Sequence, residues 1–61
     1  MPYSSNDELP QPVRERYQGR CLSVFREVWN ETFAEHGDEG QASRYAHTAA
    51  KNCEDSTMSE R

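Results

Sequence analysis

The residues of this 61-residue chain whose types could do chemistry are two cysteines, two histidines, a glutamate series and a group of arginines. Cys21 and Cys53 are too few for a disulfide framework and lack the close spacing of a zinc knuckle. If the helices that carry them run antiparallel about a turn near Asp38, both cysteines lie far from that turn and their helix ends meet. A disulfide is then geometrically open to them. Two buried free thiols are nevertheless the expectation for a chain read as cytoplasmic, because cysteine is among the most buried residue types. His36 and His47 are not spaced as an i, i+4 metal pair. A zinc site joining them to a cysteine would need ends of the hairpin that are far apart. No metal or other cofactor is expected. The chain has no Ser/His/Asp order, no glycine-rich phosphate loop and no activated nucleophile, so it reads as noncatalytic.

Charge is the remaining chemical signal, and it is uneven. Residues 14–26 carry Arg14, Arg16, Arg20 and Arg26 against a single Glu15, whereas residues 27–39 carry Glu27, Glu31, Glu35, Asp38 and Glu39 and no Lys or Arg. Glu27, Glu31 and Glu35 recur at i, i+4 and i+8, so they stack along one helix face and repel by a few tenths of a kcal/mol per pair. A solvated face is the ordinary role of such a run. Its functional reading is an acidic ridge that docks on a basic protein surface or weakly collects cations. The four arginines could contact phosphate. Arg14, Arg16 and Arg20 do not all share a face, however, and pairing with carboxylates or solvation is the expected use of this basic patch. The net charge of −4 and pI near 5.0 disfavour nucleic acid as a general partner.

The elements that must position these residues are few. A chain this short is one domain at most, and it buries only about 60% of the surface its unfolded form exposes. Its core can be two or three elements thick, without room for a deep walled pocket. No run of about 18 apolar residues is present to insert in a membrane. No signal peptide is visible in MPYSSNDELP, and a soluble cytoplasmic protein is the default.

Residues Met1 to Glu8 are polar and expected to be extended. Leu9-Pro10 opens a short helix over residues 10–17, since proline suits a first helical turn and disfavours the α conformation before it. Leu9, Val13 and Tyr17 form its narrow apolar stripe. Gly19 should end this helix in the left-handed conformation. A central helix follows over residues 20–36, closed by Gly37 in the same manner. Cys21, Phe25, Val28, Trp29, Thr32 and Phe33 lie along its inner face. The short link Gly37-Asp38-Glu39-Gly40 turns the chain back into a third helix over residues 41–53. That helix carries Ala42, Tyr45, Ala46, Ala49, Ala50 and Cys53 at helical spacing, and His47 on its polar side beside Arg44 and Lys51. The alanines should admit the bulky central helix closely, near the short end of the roughly 8–10 Å range.

The expected fold is therefore all-α, a short first helix packed on an antiparallel two-helix hairpin with disordered termini. The domain spans residues 1–53 and the polar tail spans residues 54–61. The expected core is Leu9, Val13, Phe25, Val28, Trp29, Phe33, Tyr45, Ala46 and Ala49, with Tyr45 filling the gap beside the aromatics. Residual apolar surface at Val24 or Tyr17 leaves homodimerisation open in so thin a core.

Several of these segments, taken in order, resemble the ChaB family: MPY at the start, DELP-x-PVR, an F-x-x-x-W-N helix, a short acidic loop, and A-x-R-x-A-x-x-A-x-K. The resemblance covers roughly Met1 to Asn52. In the family pattern a Leu-Pro pair opens the first helix, as Leu9-Pro10 does here. Its aromatic-Asn pair is matched by Trp29-Asn30, and its Ala-rich, Lys-terminated third helix by Ala42, Ala46, Ala49 and Lys51. Gln18 stands where the family usually has proline, and His47 where an aromatic residue is common. The resemblance implies a small α-helical, noncatalytic protein that regulates cation transport through contact with a protein partner, a sodium/calcium–proton antiporter being the proposed one. It supplies no catalytic or ligand-binding residue to carry over. The alternative function is a small acidic inhibitor or adaptor, of a phage or mobile-element type, that docks on a basic, nucleic-acid-binding host protein.

Overall fold

The computed structural model describes the backbone of residues 3–59 and the side chains of residues 3–55. Among the described residues the fold is all-α, with three α-helices in the order α1 (Gln11–Arg16), α2 (Arg20–His36) and α3 (Glu39–Ser59). A single 3₁₀ turn over Asn6–Glu8 precedes them. The segment expected to be extended is thus partly coiled, and Tyr3 lies against α2. Met1, Pro2, Glu60 and Arg61 lie outside the described residues. No helix among the described residues is long and apolar enough to cross a membrane.

Helix α1 is one residue shorter at each end than the proline and tyrosine positions suggest. Pro10 is its N-cap, with an extended ψ of 147°, and Tyr17 is its C-cap, also extended at ψ 148°. Both residues lend backbone groups to the helix without joining it: the Pro10 carbonyl accepts from Val13 and Arg14 N–H, and Tyr17 N–H donates to the Val13 carbonyl. Gly19 does adopt a positive φ, 61°, but its ψ of −129° places it outside the left-handed helix region. It caps the start of α2 rather than the end of α1, a correction to its expected role. A side chain there would be strained by the backbone alone.

Helix α2 matches expectation at both ends. Gly37 closes it at φ 67°, ψ 21°, with its N–H donating to the Phe33 carbonyl at 2.7 Å. This is the left-handed cap that glycine forms at no steric cost. The link to α3 is shorter than four residues, because Asp38 caps the next helix at once. Its carboxylate accepts Gly40 N–H at 2.9 Å, and its carbonyl accepts Ala42 N–H at 3.0 Å. Asp at this position satisfies N–H groups that have no partner inside the helix.

Helix α3 also runs further than expected, through Ser59 rather than ending at Cys53. The polar stretch after Cys53, read from sequence as a disordered tail, continues the helix. At the start of this stretch Cys53 is bonded to Cys21, and Glu54 pairs with Arg16 at 3.5 Å.

The core lies between α2 and α3. Leu22, Phe25 and Trp29 from α2 meet Ala42, Ala46 and Ala50 from α3, and all three alanines are fully buried. Leu9 and Tyr17, which flank α1, close one side, while Val13, Val28 and Phe33 pack at the margin. Two expected core positions are corrected. Ala49 is only half-buried, and Tyr45 is 51% exposed. The face that meets α2 runs strictly along 42–46–50, and a residue one position before Ala46 is rotated about 100° away from it. Close approach over alanines leaves no slot for a ring between the helices. The space beside the aromatics is filled from elsewhere. Tyr17, 1% exposed, stacks on Phe25 with centroids 5.9 Å apart. The His47 ring meets Phe25 edge-on at 5.0 Å.

Burial of Tyr17 also removes it from any dimer surface. Val24, the other residue considered for such a surface, is half-buried.

Candidate binding surface

The polar face of α2 has two uses, and the sequence distinguishes neither. One stripe of it holds the N-terminal arm. The Asn30 carboxamide faces the backbone of Tyr3 and bonds it twice: Tyr3 N–H donates to Asn30 Oδ1 at 2.9 Å, and Asn30 Nδ2–H donates to the Tyr3 carbonyl at 2.8 Å. One turn earlier, Arg26 Nε–H donates to Asn6 Oδ1 at 2.8 Å, while Asn6 Nδ2–H donates to Ser23 Oγ at 3.1 Å. Ser23, Arg26 and Asn30 lie at i, i+3 and i+7, one stripe of a helix. The Tyr3 ring then meets the edge of Trp29, centroids 4.8 Å apart, and Trp29 stacks on Phe33 at 5.1 Å.

Asn30→Ala is expected to cost about 1–2 kcal/mol, the worth of two net hydrogen bonds at about 1 kcal/mol each. Released from Asn30, Tyr3 no longer shields Trp29, so tryptophan emission should shift to longer wavelength. A variant with unchanged emission and urea midpoint would show that the arm is not held this way.

The adjacent stripe of α2 presents the acidic series. Glu27, Glu31 and Glu35 are all exposed. Glu35 Oε1 lies 3.7 Å from Nε2 of its neighbour His36. The carboxylates of Glu27 and Glu31 make no hydrogen bond or ion pair with a described residue. Beside them is a shallow depression open to solvent, lined by Glu27, Asn30, Glu31, Phe33 and Ala34 and mainly apolar on its surface. Phe33 thus has two sides, one against Trp29 and one toward this depression.

The arginines do not form a patch. Arg14 Nε–H donates to the Leu9 carbonyl at 3.0 Å, and Arg26 is engaged with Asn6. Arg16 reaches Glu54 and sits 4.9 Å from the centre of the Tyr17 ring. Three of the four therefore tie elements together, Arg26 through a carboxamide rather than the carboxylate expected for it. Arg20 is exposed at the start of α2.

The cysteines overturn the expectation of free thiols. Cys21 and Cys53 are joined in a disulfide, with Cα atoms 5.6 Å apart, inside the range such bonds require. The antiparallel hairpin delivers both side chains to the same level. His47 is exposed, like Arg44 and Lys51 beside which it was expected, and it has a partner that the sequence did not suggest. Its Nδ1 lies 3.0 Å from the Tyr17 hydroxyl, and this contact satisfies the polar atom of a buried ring. Among the described residues no group of three or more His, Cys, Asp or Glu side chains is placed to hold a metal ion.

Sequence reasoning missed Tyr3, Asn6, Ser23 and Asn30 as a unit. Periodicity detects apolar faces, and a carboxamide that binds backbone 27 residues away leaves no periodic trace. The one signal was that MPY and Trp29-Asn30 stand together in the same family pattern. Compared with protein-family models, with curated proteins and with solved structures, the chain matches none.

Proposed function

We propose that the chain is a noncatalytic regulatory protein that acts by docking the outer face of α2 on a basic surface of a protein partner. The observation that carries this reading is the pairing of two exposed, unpartnered carboxylates, Glu27 and Glu31, with the apolar depression of Phe33 and Ala34 beside them. An apolar centre with a charged rim is the composition of a transient protein interface. Its negative charge selects a positive counterpart and speeds the encounter. A ChaB-type role in regulating cation transport is the specific form favoured here. Its support is the segment order from Tyr3 to Lys51, together with the direct contact of Tyr3 with Trp29 and Asn30. The second reading, an acidic inhibitor or adaptor on a nucleic-acid-binding host protein, draws on the same ridge.

The test is capture of partners from the native host by the parent chain and by Glu27→Lys/Glu31→Lys. The double variant should keep the parent melting temperature or exceed it slightly, because a lysine at position 31 attracts Glu35 while the repulsion between positions 27 and 31 only changes sign of charge. It should lose at least tenfold in affinity for the captured partner, and parent binding should weaken as salt rises. Equal capture by parent and variant would end the docking idea. A membrane transporter among the salt-sensitive partners supports the ChaB-type role, and a basic nucleic-acid-binding protein supports the second reading.

A further inference from the structure

Each segment of the fold supplies a wall to one cavity of about 360 Å³. Tyr3 comes from the N-terminal arm, Val13 from α1, Phe25 and Trp29 from α2, and Glu39 and Ser43 from α3. The depression beside Glu27 and Glu31 shares none of these residues and is lined from α2 alone. A concavity walled by four segments surrounds a small molecule as a single helix face does not. Three rings and a valine form its apolar part. Phe25 and Trp29 are buried, and Tyr3 is held in place by its two bonds to Asn30. Glu39 and Ser43, one turn apart on α3, supply the polar part. Neither the Glu39 carboxylate nor the Ser43 hydroxyl makes a hydrogen bond or ion pair with a described residue. No Lys, Arg or His is among the described residues that line the cavity. At the same end of α3 the Asp38 carboxylate takes up Gly40 N–H, a donor that would otherwise draw an anion.

We propose that this cavity binds a small organic cation, a primary ammonium on an aromatic or aliphatic body. The body lies among Tyr3, Val13, Phe25 and Trp29, where it is removed from water. The ammonium has three N–H donors and no acceptor. Glu39 accepts one of them in a charge-assisted bond, and the Ser43 oxygen accepts another. A carboxylate on a body of the same shape would instead meet Glu39 and Asp38 as like charges. At about 30 Å³ for each non-hydrogen atom, water's share of the liquid, the cavity takes roughly a dozen such atoms. The ligand is therefore a single small amine. Because all four segments touch it, its binding fixes the arm and α1 against the hairpin and stabilises the folded chain. None of the groups used belongs to the docking face of α2.

The test titrates the full chain with phenethylamine at neutral pH and low ionic strength, following emission from Trp29, the only tryptophan. The emission should change to saturation with a dissociation constant of about 1 mM or below, the range open to a ligand of this size. The melting temperature should rise with amine concentration. Phenethyl alcohol keeps the ring and lacks the charge. It should bind roughly threefold to tenfold more weakly, between the worth of an exposed ion pair and that of a charged hydrogen bond. Phenylacetate should bind more weakly again. Glu39→Gln should lose the same roughly threefold to tenfold in amine affinity and melt close to the parent, as exposed positions do. Ser43→Leu fills the cavity, so it should abolish the emission change while melting at or above the parent. Glu27→Gln/Glu31→Gln should bind the amine as the parent does. Equal affinity for the amine and phenylacetate would overturn the proposal, as would an emission change that Ser43→Leu leaves intact. An affinity that falls with Glu27→Gln/Glu31→Gln and not with Glu39→Gln would place the cation on the outer face of α2 and reject this cavity. No saturable change up to about 10 mM amine, tenfold above the expected constant, would reject it too.

Discussion

Trp29→Ala is expected to abolish the cooperative thermal transition, or to leave a residue of it far below the parent. Trp29 is 6% exposed and is the hub of the aromatic contacts, with Tyr3 at 4.8 Å on one side and Phe33 at 5.1 Å on another. Removing a buried indole costs about 3–5 kcal/mol, the sum of lost transfer energy and the cavity left behind. At the usual stability per residue, a domain of this size holds roughly 3–9 kcal/mol in all. The facing alanines cannot close the gap, because they have no further atoms to move into it. Loss of the Tyr3 contact adds to the cost by freeing the N-terminal arm. The measurement is urea or thermal unfolding followed by far-ultraviolet circular dichroism. A variant that melts like the parent would refute the hairpin packing.

The second large effect separates two tyrosines, of which sequence alone placed Tyr45 in the core and Tyr17 on the apolar stripe of the first helix, open to a dimer contact. Tyr17→Ala should cost about 3–5 kcal/mol, as for other large buried rings. Tyr45→Ala should stay within about 0.5 kcal/mol, as for exposed positions remote from special contacts. The contrast follows from burial, 1% against 51%, and from the stacking of Tyr17 on Phe25. Tyr17→Phe tests the hydroxyl separately. It keeps the ring and removes the contact with His47, so a loss of about 0.5–1.5 kcal/mol is expected. Equal melting temperatures for Tyr17→Ala and Tyr45→Ala would contradict the arrangement described.

The two mistaken core positions share a cause. A helical period assigns residues to a face about 100° or more wide, which is too coarse to say which of two adjacent positions points at the partner. Ala46 and Tyr45 fall on the same broad face in sequence, and the closeness of α2 then admits only the alanine. The acidic series was readable because its members repeat at one-turn spacing on a helix whose ends were marked by Gly19 and Gly37. The arm clamp was not, since Asn30 and Tyr3 are joined by hydrogen bonds between a side chain and a distant backbone.

By itself the amino-acid sequence determined the helical class, the hairpin and the limits of α2. These depend on local physics: apolar spacing, a left-handed glycine cap and a short turn, each acting within a few residues. It also determined that the acidic series lies on one face of α2. Only the tertiary structure decided that Cys21 and Cys53 are bonded, that Tyr17 and not Tyr45 completes the core, and that three arginines serve as internal ties. It also decided that α3 continues past Cys53. Each of these depends on a distance between elements set to within about an ångström by how closely two helices approach. Helical spacing alone carries no such distance, and the alanine face of α3 is what sets it.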